Sequence, residues 1–136
     1  MAGWISFTTD YGLDDGFVAA CAGVIARIAP DVRLIHVTHL VPPQDVRRAA
    51  TVLAQTAPYL PPAVHLAVVD PGVGSARRPI LIECEDSFFI GPDNGVLSLD
   101  RIRHGALGQR DSRWIPQPYP APRGGRQDAI PDPSPT

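Results

Sequence analysis

Two aspartates in this chain stand where a carboxylate can do chemistry. Asp10 closes the run Thr8-Thr9-Asp10 and precedes Tyr11-Gly12, while Asp70 opens Asp-Pro-Gly-Val-Gly-Ser-Ala-Arg-Arg, which carries Arg77 and Arg78. An ionised carboxylate offers two acceptor oxygens and no donor, which matches the two neighbouring hydroxyls of a ribose. Asp10 equally suits an Asx-turn or a cap, and Asp70 beside an arginine equally suits a plain ion pair. Gly72 and Gly74 let the backbone approach a ligand or turn sharply. As a phosphate loop the segment is weak, because it lacks a Gly-Lys-Ser/Thr ending and no helical pattern follows it. Gly91-Pro92-Asp93-Asn94-Gly95 reads as a tight turn, or as a polar loop whose Asn94 side chain meets a substrate.

Other ionisable groups leave alternatives open. Asp10, Asp14, Asp15, Asp70 and Asp93 could supply oxygen ligands to a hard cation, although their spacing matches no EF-hand loop. His36 and His65 fall mid-strand and read as core or sheet residues. His39 falls at a strand end, as a ligand contact or a loop histidine. Cys21 and Cys84 sit inside apolar runs. Two cysteines are too few for a disulfide framework or a zinc site, so both are expected as buried, reduced thiols.

These residues need a scaffold, and the first 100 positions supply one. Trp4–Thr8 is β-prone, and Tyr11–Asp15 is a turn with Asp14 or Asp15 as a helix N-cap. Phe17–Ala29 carries Arg27 as its one charge and predicts a deeply buried helix, stopped by Pro30-Asp31. Val32–Thr38 predicts a strand. A second helix opens at about Asp45 and closes at Pro58. Val64–Val69 is a third strand, ending at Asp70. Pro79–Cys84 and Ser87–Ile90, joined by Glu85-Asp86, predict a hairpin, and Asn94–Leu99 a last short helix. The fold class is α/β, a three-layer domain. Its parallel βαβαβ core is extended by the β-hairpin, with helices on both sheet faces. In such sheets ligands bind beyond the carboxyl ends of the strands, so Asp10, His39 and Asp70 should gather at one rim.

The remainder of the chain reads differently. Seven prolines fall between Trp114 and Thr136, a spacing no helix or central strand can run through. Residues 1–104 are therefore expected as the α/β domain and 105–136 as a Pro/Arg-rich irregular tail. Residues 1–100 hold 6 Arg against 11 Asp/Glu, a net of −5. That balance argues against nucleic acid as the partner. No apolar run reaches the length of a membrane helix, and the N-terminus has no signal-peptide pattern. A soluble, cytoplasmic protein without a membrane partner is the expectation.

Several of these segments, taken together, resemble the S-adenosylmethionine hydroxide adenosyltransferase (SAM hydrolase) family, whose superfamily includes the fluorinase and chlorinase. The resemblance lies in Phe7-Thr8-Thr9-Asp10-Tyr11-Gly12, Asp15-Gly16, Val68-Val69-Asp70-Pro71-Gly72-Val73-Gly74-Ser75 and Gly91-Pro92-Asp93-Asn94-Gly95-Val96-Leu97. It covers roughly residues 4–100, in order and at compatible spacing. It implies that water or hydroxide attacks the ribose C5′ of S-adenosylmethionine, giving adenosine and methionine with no cofactor and no metal. On the same footing Asp70 and Arg77 match the Asp and Arg that position or activate the water, with Arg78 a possible substitute. Asp10 matches the residue that holds the ribose hydroxyls, and Thr9 and Asn94 complete the expected substrate-binding set. Halogenating relatives carry a different residue at the Asp70 position, which favours hydrolysis. A carboxylate held by an arginine is a weak base, so orientation of the water is the role expected of Asp70.

Departures from the family pattern lie late in the chain. Trp114-Ile115-Pro116-Gln117-Pro118 resembles a family stretch that leads to a catalytic His, but no His follows His104, and Arg123 falls about where it would stand. The family also has a β-rich C-terminal domain and a homotrimer interface that completes the adenine pocket. The expectation is a truncated or frameshifted member. Two other readings stand beside it: a metal-dependent phosphohydrolase using Asp10, Asp14, Asp15 and Asp93, and a non-catalytic nucleoside-binding fragment.

Overall fold

The computed structural model describes residues 3–71, 79–84 and 86–97. Arg77, Arg78, the last two residues of the expected Asn94–Leu99 helix, the 104/105 boundary and the Pro-rich tail lie outside them. Strand β1, Trp4–Thr9, is an inner strand, one place in from the edge, of a five-stranded sheet ordered β2-β1-β3-β5-β4. It pairs in parallel with β2 (Arg33–Thr38) on one side and β3 (Val64–Val68) on the other. Helix α1, Phe17–Ile28, links β1 to β2, and α2, Val46–Thr56, carries the chain back past β1 to β3. The two connections run in opposite directions across the sheet. Right-handed crossovers then put the helices on opposite faces.

The hairpin forms where expected. Strands β4 (Pro79–Cys84) and β5 (Ser87–Pro92) pair antiparallel, with Cys84 opposite Ser87. It is β5 that joins the core, parallel to β3, leaving β4 at the edge.

Asp45 caps α2, its carboxylate accepting the Arg48 N–H at 2.9 Å. Pro58 ends α2 through a 3₁₀ turn at Ala57–Tyr59. The cap of α1 differs from expectation. Its N-cap is Gly16, which makes no side-chain bond. Asp15 still serves the first turn, taking the Phe17 N–H at 2.9 Å. Asn94–Leu97 form bends and turns rather than helix.

Burial is lopsided across the sheet. On β3 the side chains of His65 and Ala67 are buried, as is Val69 just beyond the strand, whereas Val64, Leu66 and Val68 are half-buried. The buried set packs with Ala49, Leu53 and Ala57 of α2 and its following turn, and with Ile82, Phe89, Val96 and Leu97. The α1 side is thinner, and the expectation of a deeply buried α1 fails. Phe17, Val18, Cys21, Ala22 and Ile25 form a half-buried stripe, no α1 residue is buried, and Val24 and Ile28 are 55% and 77% exposed. An apolar sequence all round a helix asks for cover on two sides, and the described residues supply one. Neither Cys21 nor Cys84 is in a disulfide, and both are half-buried rather than buried as expected. Among the described residues no helix is long and apolar enough to cross a membrane.

Candidate active site at the carboxyl ends of β1, β2 and β3

The rim beyond β1, β2 and β3 is built by three chain segments locked to one another. Thr9 pairs with Val68 in adjacent parallel strands, so Asp10 and Asp70 leave the sheet as neighbours. Gly12 takes φ 76°, a left-handed conformation that glycine adopts without cost, and this turns the chain sharply after Asp10. The Gly12 N–H donates to the carbonyl of His39 at 2.7 Å, tying the turn to the exit of β2.

Tyr11 lies near enough to both carboxylates for its phenol to feel their charge. Burial pushes its phenol well above the ordinary tyrosine value, and the charges of Cys21, Asp10 and Asp70 push it further. The phenol therefore stays protonated and presents a donor where two carboxylates present acceptors. Its ring is wedged edge-on against Phe17 at 4.5 Å and Phe7 at 6.4 Å. Sequence reading took Tyr11 as a turn residue. Its place immediately after Asp10 in a β-to-α loop was the available signal.

Asp10 is half-buried, and its Oδ2 accepts the N–H of Gln44 at 2.8 Å. Gln44 follows Pro42-Pro43 and sits at φ 65°, a region that non-glycine residues seldom adopt. Oδ1 is left to face other partners. Thr9 is fully buried. Its hydroxyl lies 2.7 Å from Nδ1 of His39 and accepts the Tyr11 N–H at 3.2 Å.

His39 lies in the bend just past β2, as a loop histidine, but it is buried there, 5% exposed, rather than open at the rim. Its Nε2 lies 2.7 Å from Nδ1 of His36 and its ring stands edge-on to Phe7 at 5.0 Å. Burial, and then the charge of His36, hold the His39 imidazole below the usual histidine range. His36, expected as a sheet or core residue, is exposed on β2. The pairing of β1 and β2 slips by one residue after Phe7↔His36, resuming at Thr8↔Thr38, just where this contact forms.

Asp70 is half-buried. Asn94 braces the segment leading to it. Its side-chain amide donates to the Val69 carbonyl at 2.8 Å, and its Oδ1 accepts the Val96 N–H at 3.0 Å. Asn94 thus closes its own turn past β5 and ties that turn to the exit of β3. Among the described residues no three His, Cys, Asp or Glu side chains converge as a metal-binding group. The aspartates of the phosphohydrolase reading accordingly do not form a cluster. A shallow cleft lined by Pro58, Leu60, His65, Cys84, Ser87 and Phe89 opens at the opposite end of β3. There His65 bonds Ser6 at 2.7 Å and stacks on Phe89, part of the packed sheet face.

With this geometry in view, residues 5–115 match the family described as the SAM hydroxide adenosyltransferase N-terminal domain. The chain belongs to that family. An (R)-S-adenosyl-L-methionine hydrolase of Salinispora arenicola is 71% identical over 94 residues, 69% of this chain and 36% of that one. A fluorinase of Actinoplanes sp. is more distant, at 25% over 127 residues, 76% of this chain and 43% of that one. The crystal structure of an uncharacterized conserved protein from Thermotoga maritima superposes with a TM-score of 0.72 at 41% identity, covering 74% of this chain and 40% of that one. The chain thus spans little more than a third of the length of the hydrolase relative. The expected family and α/β fold are both found.

Proposed function

We propose that this chain carries the ribose-binding and water-positioning part of an S-adenosyl-L-methionine hydrolase forming adenosine and L-methionine. The observation that carries the reading is the exit of Asp10 and Asp70 from the paired ends of adjacent parallel strands, β1 and β3, at one rim. Kinship with proteins named (R)-S-adenosyl-L-methionine hydrolase supports it.

In this reading Oδ1 of Asp10 takes a ribose hydroxyl while Oδ2 stays with Gln44. Asp70, aided by Arg77, orients one water on the line through C5′ and sulfur. The water oxygen bonds to C5′ and the C5′–S bond breaks. Its electron pair neutralises the sulfonium as the thioether of methionine, and the water's proton passes to solvent. The leaving group departs neutral and needs no acid, so the catalytic task is positioning. Thr9 and Asn94 serve by holding the two strand exits that present the aspartates. The reaction requires no metal or cofactor. We place it in the cytoplasm, within a homotrimer like that implied by the family resemblance.

Incubating the full chain with S-adenosylmethionine and assaying adenosine tests the proposal. Release of adenosine that is lost in Asp70→Ala is the expected result. Adenosine binding without turnover, in calorimetry, would instead favour the nucleoside-binding reading. A chain that neither binds nor releases adenosine overturns both.

A further inference from the structure

Asp10 rides on a turn that is braced from both sides by a single residue. Ahead of it, the buried Thr9 hydroxyl meets Nδ1 of His39 at 2.7 Å and accepts the Tyr11 N–H. Behind it, the Gly12 N–H donates to the His39 carbonyl at 2.7 Å. The imidazole itself is fixed by the His36 contact at Nε2 and by the edge-on packing with Phe7. At 5% exposure, with both nitrogens engaged, it has no reach toward a ligand. Whatever His39 contributes at the rim passes through Thr9 and the turn.

We propose that His39 is the positioning residue for Asp10, holding the Thr9–Gly12 turn so that the free carboxylate oxygen is aimed at its ligand. This rests on the reading above, in which that ligand is a ribose hydroxyl. One oxygen of Asp10 is already committed to Gln44, so the direction of the other follows the turn. Small displacements of a supporting turn weaken a site sharply. A purely space-filling role would be met by any side chain of similar volume.

Three substitutions separate the two roles. His39→Asn keeps a polar atom where Nδ1 lies and gives up the His36 contact. His39→Gln reaches toward His36 but leaves Thr9 unpartnered. His39→Leu keeps volume alone. Adenosine affinity of the full chain, measured by calorimetry, is expected to fall about tenfold in His39→Gln and His39→Leu, the loss of one buried hydrogen bond. His39→Asn should restore most of it, while Asn and Gln variants melt at similar temperatures. Tyr11 amide exchange should quicken in the Gln and Leu variants and not in the Asn variant. Equal affinity and equal exchange in the Asn and Gln variants would overturn the proposal. If the unsubstituted chain binds no adenosine, the ribose reading fails by itself. The amide exchange then decides whether His39 holds the turn: faster in Gln than in Asn upholds it, equal rates overturn it.

Discussion

The carboxylate of Asp10 reaches across 34 positions of sequence to take the backbone N–H of Gln44 at 2.8 Å. Gln44 holds that N–H in place at φ 65°, a conformation costing a non-glycine residue roughly 1–2 kcal/mol. The bond therefore sets both the carboxylate's direction and the shape of the loop. In Asp10→Asn the side-chain carbonyl can still accept from Gln44, whereas Asp10→Ala leaves nothing to accept. Both variants should lose adenosine affinity, by about tenfold or more, since removing a charged acceptor costs roughly 1.5–3 kcal/mol. Only Asp10→Ala should also lower the melting temperature. Gln44→Gly keeps the N–H and removes the strain. Glycine's extra chain entropy, about 0.5–1 kcal/mol, returns part of the gain. A small rise in melting temperature with unchanged affinity is expected, and a fall would show that the Gln44 side chain matters in its own right.

Gly91 lies on β5 beside Ala67 of β3. A Cβ built there would stand 2.8 Å from the Ala67 carbonyl oxygen and 3.3 Å from Cγ1 of Val96. The first neighbour is backbone of a central strand and cannot swing aside. Gly91→Ala must spread β3 from β5, and overpacking of this kind costs about 1–3 kcal/mol. Because Asn94 sits three residues on and ties to Val69, the damage should extend to Asp70. A urea midpoint lowered accordingly, together with reduced turnover of S-adenosylmethionine, is the expected outcome. An unchanged midpoint would mean the strands have more room than the geometry gives them.

Features written in local chemistry were legible in the sequence. Asp45 caps α2, Pro58 ends it, and the two residues between Cys84 and Ser87 can only make a hairpin. Asp10 and Asp70 were legible as a rim pair because parallel strands must end on the same side. Features that depend on what arrives from elsewhere were not. Nothing local says that β5 rather than β4 pairs with β3. The one-residue slip beside His36 leaves no compositional trace. The burial of His39, in the bend past β2, was not legible because Phe7, Thr9 and His36 confer it. The apolar sequence of α1 records a demand for cover, and a sequence states demand without stating supply.

Thr8 is the exception to an otherwise paired rim. It is fully buried, and its hydroxyl has no hydrogen-bond partner among the described residues. Its neighbours on the same face of β1 and β3 are Ser6, which bonds His65, and Ala67. A buried hydroxyl without a partner costs about 1–3 kcal/mol of desolvation. Thr8→Val keeps the shape and removes the hydroxyl, so it should raise the urea midpoint by the equivalent of about 1 kcal/mol. A lowered midpoint in Thr8→Val would reveal a partner for that oxygen.

The imidazole chain gives the fold a pH dependence of definite sign. Burial, then His36, lowers the affinity of His39 for a proton in the folded chain. The unfolded chain takes up that proton at the ordinary histidine value of about 6.5, the folded chain only at lower pH. Below about 6.5 the unfolded state therefore binds more protons, and stability falls as pH drops. Above that value the contribution is complete. Tyr11 acts at the other end of the scale. Its phenol is held above the ordinary value by burial first, so the unfolded chain releases a proton earlier, and stability falls as pH rises past about 10. Urea midpoints taken from pH 5 to 11 should rise with pH, level off near neutrality and fall again past about 10. His39→Asn should flatten the acidic limb, since the Thr9 contact survives without a titrating ring, and Tyr11→Phe should flatten only the alkaline one. An acidic limb unchanged in His39→Asn would assign the titration to another group.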